Sequence, residues 1–336
     1  MKWAHSAKWP SVLRRGRACS RRGRAPRLLR ICPRFAALGK ALYSLCHNAC
    51  RTALRIVPTA VPLPELLRTA SPGRRQAVAG ALAIVLSGAW CRPARAGEAA
   101  AIAAAADLKF ALAEIAPRFQ ADTGHALKLT FGSSGNFTQQ IAQGAPFELF
   151  LSADEQYVFQ LADAGRVRDR GTLYAVGRVA LFAPHRSPLQ VDARLEGLRR
   201  ALDAGEIRRF AIANPEHAPY GRAARAALRH SGLWSRIEPL LVLGENASQA
   251  LQFAASGSSQ GGIVPLSLSK APPVAALGRF ATIPADWHAG EPLRQRMVLT
   301  RHAGTAARAF YDYLQGPAAR AILARYGFAL PGEPSQ

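Results

Sequence analysis

The residues best placed to do chemistry lie in the run Leu129-Thr130-Phe131-Gly132-Ser133-Ser134-Gly135-Asn136-Phe137. Leu127, Leu129 and Phe131 alternate with Ala126, Lys128 and Thr130, the period of a strand. Past the turn, Phe137 and Ile141 are one helical turn apart, and Gly144 stands where a helix stop belongs. The run therefore brings two hydroxyls and several unpaired backbone N–H groups to the positive end of a helix dipole, which suits an anion. Taken alone, Ser133-Ser134 is more often an ordinary serine helix cap.

Three more junctions have the same character: Ala105-Ala106-Asp107, Pro219-Tyr220-Gly221 and Glu245-Asn246-Ala247. Each is a helix start with free N–H groups, and none contains Lys or Arg. Brought together, the four would form a cage of neutral donors matched to a small tetrahedral dianion. Dipoles and hydroxyls avoid the cost of burying a full cation in an empty site. Asp107 is the exception, because an ionised carboxylate repels a dianion. It can escape in two ways: by protonating and donating, or by turning back to cap the helix that begins at Leu108. The second is favoured, since Asp is a preferred N-cap.

The elements that must position these junctions alternate from Gly97 onward as strand and helix, the signature of α/β layers. An almost all-alanine strand at 99–105 runs into a helix with Leu108, Leu112, Ile115 and Phe119 on one face. Pro117 is expected to bend or break that helix near its end. Buried strands follow within 145–154 and at 179–184, the first ending in Ser152-Ala153-Asp154, which caps a further helix. A second set of units then begins, with a helix at 191–204, a strand at 210–213, a helix ending near Gly232, and strands at 240–243 and 261–265. Met297-Val298-Leu299-Thr300 reads as a strand returning to the first set, and 306–314 and 317–326 read as helices. This predicts two α/β lobes joined by two crossing strands, with the ligand in the cleft. Lobe 1 is 97–181 plus 297–336, and lobe 2 is 182–296.

Charge separates this body from what precedes it. Residues 1–96 hold 19 of the 44 Lys and Arg against one acid, Glu65, while 97–336 hold 25 against 20. All five cysteines lie in the first segment, and a cysteine-free body suits an oxidising compartment. Arg74-Arg75, the apolar run from Ala77 to Trp90 and Ala94-Arg95-Ala96 are the three parts of a secretory signal peptide, 74–96. The run is too short to span a bilayer as a mature helix. Residues 1–73 are expected to be a non-native or disordered extension. A basic nucleic-acid-binding arm is their alternative reading.

Other function classes have little to stand on. A nucleophile elbow needs Gly-x-Ser-x-Gly, and two residues after Ser134 comes Asn136, so no enzyme is expected. The six histidines of 97–336 are scattered, so no metal site is expected.

Residues from about 98 to 330 resemble the periplasmic molybdate-binding proteins of ABC transporters, which are type II periplasmic solute-binding proteins. The resemblance rests on Phe131-Gly132-Ser133-Ser134-Gly135, the run from Gly144 to Asp154, Asn214-Pro215-Glu216-His217-Ala218-Pro219-Tyr220-Gly221, and Phe310-Tyr311-Asp312-Tyr313-Leu314-Gln315-Gly316-Pro317 with Tyr326-Gly327-Phe328. It implies the two-lobed type II fold and capture of molybdate, with tungstate alongside it, in the periplasm. It also implies a monomer that delivers to a membrane permease, with no cofactor, no nucleic acid, and molybdenum present only as molybdate. By position it implies that Ser134 donates through hydroxyl and N–H, and that Tyr220 and Ala247 donate through backbone N–H. Asp107 stands where a Ser, Thr or Asn is usual, and Pro265 where some members place a donating Tyr. Sulfate or phosphate is the alternative ligand, phosphate because Asp107 could accept its proton.

Overall fold

The computed structural model describes residues 99–332. The expected extension at 1–73 and signal peptide at 74–96 lie outside the described residues. Two five-stranded sheets organise the described chain, each mostly parallel at one side and antiparallel at the other.

The first sheet has the order β2-β1-β3-β10-β4, formed by β1 (Ala100–Ala105), β2 (Leu127–Gly132), β3 (Leu149–Ser152), β4 (Thr172–Val176) and β10 (Arg294–Leu299). β1 is parallel to β2 and β3, and β10 runs antiparallel to β3 and β4. Side chains alternate across this sheet as the pleat demands. Ile102, Leu149, Leu151 and Met297 face one core, under α1 (Lys109–Thr123) and the terminal helices α7 (Thr305–Gln315) and α8 (Pro317–Arg325). Ala103, Phe150 and Val298 face the other, under α2 (Ser134–Ala142) and α3 (Glu155–Asp163).

The second sheet repeats the plan as β7-β6-β8-β5-β9. Its strands are β5 (Val179–Pro184), β6 (Phe210–Ala213), β7 (Leu241–Gly244), β8 (Gly262–Pro265) and β9 (Gly278–Thr282). Its helices include α4 (Glu196–Asp203), α5 (Pro219–His230) and α6 (Ala247–Ala255). The chain thus forms two lobes and crosses between them twice, first at Gly177-Arg178 and again between β9 and β10.

Three local expectations are corrected. The first crossing precedes β5, not residue 182, because all of β5 pairs inside the second sheet with β8 and β9. α1 runs through Pro117 to Thr123 and ends at Gly124, whose φ of 73° closes the helix in the left-handed conformation. α4 starts at Glu196, not near 191, because the Asp192 carboxylate accepts the N–H groups of Arg194, Glu196 and Gly197 and caps it from upstream.

Candidate anion-binding site

In open α/β sheets, ligands gather at the carboxyl ends of parallel strands, where the backbone turns into a helix. Here β1 and β2 of one lobe and β6 and β7 of the other end at one small pocket. Its cavity volume is about 10 Å³, and Asp107, Ser134, Tyr220 and Ala247 all line it. Pockets for drug-sized organic ligands occupy roughly 300–1,000 Å³, so this one suits an inorganic ion.

Ser133 and Ser134 divide two tasks. Ser133 is the N-cap of α2, its hydroxyl accepting the Asn136 N–H at 3.4 Å. Ser134 is thereby released from capping. Its buried hydroxyl oxygen accepts the Ala153 N–H at 3.0 Å, which leaves the hydroxyl hydrogen free to donate into the pocket. Ser134, Tyr220 and Ala247 occupy the first or second positions of α2, α5 and α6. No intrahelical carbonyl exists for N–H groups at such positions. At α6 the cap does not compete for that donor: the Asn246 side chain accepts from Ser248 and Gln249, so the Ala247 N–H stays clear. No Lys or Arg lines the pocket.

Asp107 departs from the cap expected of it. A 3-10 turn over Ala106–Leu108 comes before α1, and no side chain caps either helix start. Asp107 sits inside that turn, one residue before the Leu108 N-cap of α1, and its carboxylate reaches the other lobe. Oδ2 accepts from the Tyr220 hydroxyl at 2.9 Å and from Gln295 Nε2 at 2.6 Å. The Tyr174 hydroxyl donates to Gln295 Oε1 at 2.8 Å and completes the network. Oδ1 has no hydrogen-bond partner. Burial pushes the Asp107 carboxyl up to about 6, against the lowering effect of Gln295 and Tyr220. Burial and then the Asp107 charge hold the Tyr220 phenol well above its usual value, so it stays a donor. Gly177, at the crossing, keeps this space open: a Cβ there would stand 2.2 Å from the Tyr220 hydroxyl.

The family model for bacterial extracellular solute-binding proteins matches residues 100–329. The chain belongs to that family. Among its relatives, the molybdate-binding protein ModA of Rhodobacter capsulatus is 37% identical over 255 residues, covering 74% of this chain and 95% of the relative. The ModA of Escherichia coli is 31% identical over 229 residues, 68% of this chain and 87% of its own. Of solved structures, the periplasmic molybdate-binding protein of Azotobacter vinelandii matches with a TM-score of 0.63 at 31% identity, over 70% of this chain and all of that one. The two-lobed type II architecture is therefore that of the solute-binding proteins.

The cleft between the lobes also contains residues that sequence reasoning missed. His217 joins the lobes: its carbonyl accepts the Gly135 N–H at 3.0 Å and its Nδ1 lies 3.0 Å from the Ser133 hydroxyl. Ser248 and Ser267 of the second lobe donate to the carbonyls of Ala106 and Asp107, both at 2.9 Å. Farther out, Arg222 of α5 reaches Asp154 and, at 2.9 Å, the Tyr157 hydroxyl of α3. Pro265 is not among the residues lining the pocket; it pairs with Val179 at the end of β8. The position of His217 in the Asn-Pro-x-His turn was the one available signal. Gln295 and Tyr174 carried none.

Proposed function

We propose that this chain captures molybdate, and tungstate with it, outside the cytoplasm and delivers it to an ABC transporter permease. The observation that carries the reading is the meeting of Ser134, Tyr220 and Ala247, with free N–H groups and one hydroxyl, at a pocket too small for an organic solute and without a cation. Such a cage holds a fully deprotonated tetrahedral dianion through neutral donors, each charge-assisted bond contributing roughly 1.5–3 kcal/mol. Relatives that carry molybdate in their names and span nearly their whole length with this chain support it. Tungstate has the same charge and shape and nearly the same size, so the same cage accepts it.

Sulfate and phosphate are the competing oxyanions. Phosphate is favoured by one observation, the buried Asp107 carboxyl, which can accept a proton that phosphate still carries near neutral pH. Calorimetry of the purified protein against all four anions tests the reading. Molybdate and tungstate should bind with matched affinity and far more tightly than sulfate or phosphate, and the reverse order overturns it. The protein acts as a monomer in the periplasm, without a cofactor, after export on the signal peptide at 74–96. Mass spectrometry of exported material should find a mature chain beginning at Gly97.

A further inference from the structure

We propose that Asp107 grips the captured oxyanion as a neutral carboxylic acid, donating from Oδ1, so that an anion captured by the ionised protein takes up one proton. This rests on the reading of the pocket as an oxyanion site. It follows from the different surroundings of the two carboxyl oxygens. Oδ2 already accepts two donors, the Tyr220 hydroxyl and Gln295 Nε2. The Tyr174 hydroxyl donates to Gln295 Oε1, which fixes that amide with its NH₂ toward Asp107. A proton on Asp107 therefore belongs on Oδ1. Oδ1 has no partner, on a residue 1% exposed that lines the pocket. A buried polar atom left without a partner is costly, and an incoming anion oxygen supplies the acceptor that a protonated Oδ1 needs.

The charged groups around Asp107 leave this proton as the local means of compensation. On its own helix, Lys109 is exposed to solvent. On α5, Arg222 is held by Asp154 and Glu291, and on β10 Arg294 and Arg296 are both held by Glu155. α6 and the turn Leu266–Ser269 contain no ionisable residue. On the α2 side, His217 faces Ser133 and Glu245. Tyr174 and Tyr220 remain protonated, burial being the main cause for each. An approaching dianion raises the Asp107 pKa further. The proton comes from solvent, forms an O–H bond on Oδ1, and returns to solvent when the anion leaves.

The consequence is a pH dependence with a defined sign. Below about 6 the carboxyl of the empty protein is already neutral, and affinity is flat. Above that, affinity falls about tenfold per pH unit, roughly 100-fold between pH 6 and 8. Asp107→Asn presents an amide that accepts from Tyr220 and Gln295 and donates to the anion at every pH, so its affinity should be flat and tighter than the wild type at pH 8. The test is calorimetry with molybdate at pH 8 in two buffers of different ionisation enthalpy. The wild type should take up close to one proton per molybdate, and Asp107→Asn none. Molybdate binding by the wild type without proton uptake, or uptake that persists in Asp107→Asn, overturns the inference and leaves the proposed function standing. No heat with molybdate, tungstate, sulfate or phosphate overturns both.

Discussion

At the β2–α2 junction two residues share the work, whereas at the β1–α1 junction a single residue carries it. Ser133 caps α2 and meets His217, so Ser134 is free to face the pocket. Asp107 has no neighbour to cap for it. Its carbonyl binds Ser267, one carboxyl oxygen binds Tyr220 and Gln295, and the other is left for the pocket. The two junctions also meet the second lobe differently. The first does so through backbone, Gly135 N–H to the His217 carbonyl, with the Ser133 hydroxyl beside His217 Nδ1; the second adds a buried acid to the serine bonds on its carbonyls. A backbone contact is insensitive to pH, and the acid is not. One cleft thus combines a fixed jaw with a titratable one.

The largest effect should come from breaking the fixed jaw. A Cβ at Gly135 would lie 2.7 Å from the His217 carbonyl oxygen. Gly135→Val should keep the lobes apart and weaken molybdate binding by about 100-fold, the upper range of an overpacking cost of roughly 1–3 kcal/mol. Calorimetry reads the loss, and scattering should show a more extended particle with molybdate present than the wild type gives.

The titratable jaw is tested by stability instead. Asp107 has a folded pKa of about 6 against an ordinary value of 3.8. A raised acid favours the folded state below the ordinary value, and that contribution is lost as pH rises through the folded one. Asp107→Asn should therefore match the wild type in denaturant melts near pH 4. At pH 8 it should be more stable by about 3 kcal/mol. Equal stability at pH 8 would show that the carboxylate is not strained by its burial.

Ser134→Ala removes one donor to the anion and should weaken molybdate binding by about one to two decades. It also strips the buried Ala153 N–H of its acceptor, so stability should fall by about 1–2 kcal/mol. The Ala153 contact spans 19 residues and leaves no trace in the local sequence. Ser133→Ala is the smallest effect and the sharpest control. It loses a cap worth about 1 kcal/mol of stability, while molybdate affinity should stay within about threefold, judged against Ser134→Ala on the same instrument.

Much of the scaffold was legible because it is written in short-range patterns. The alanine strand, the Leu108-Leu112-Ile115-Phe119 face and the Asp154 cap all appear as read. The four junctions were legible for the same reason, each being a strand end, a small polar turn and a helix start. What escaped depends on long-range partners. Asp107 looks like a cap until the 3-10 turn moves the helix start past it and Tyr220 and Gln295 compete for its carboxylate. Those partners lie 113 and 188 residues away. Pro117 failed as a breaker because packing of Ile115 and Phe119 on both sides of it outweighs one lost hydrogen bond.

Arg222 has a consequence for timing. It ties α5 to Asp154 and Tyr157 across the cleft and to Glu291 in the second crossing segment, without being among the residues that line the pocket. Its contacts hold the lobes together independently of the pocket, so they should slow any separation of the lobes that frees a bound anion. A membrane partner that pulled Arg222 away from Asp154 would speed unloading without competing for the anion, and raised ionic strength would do the same more weakly.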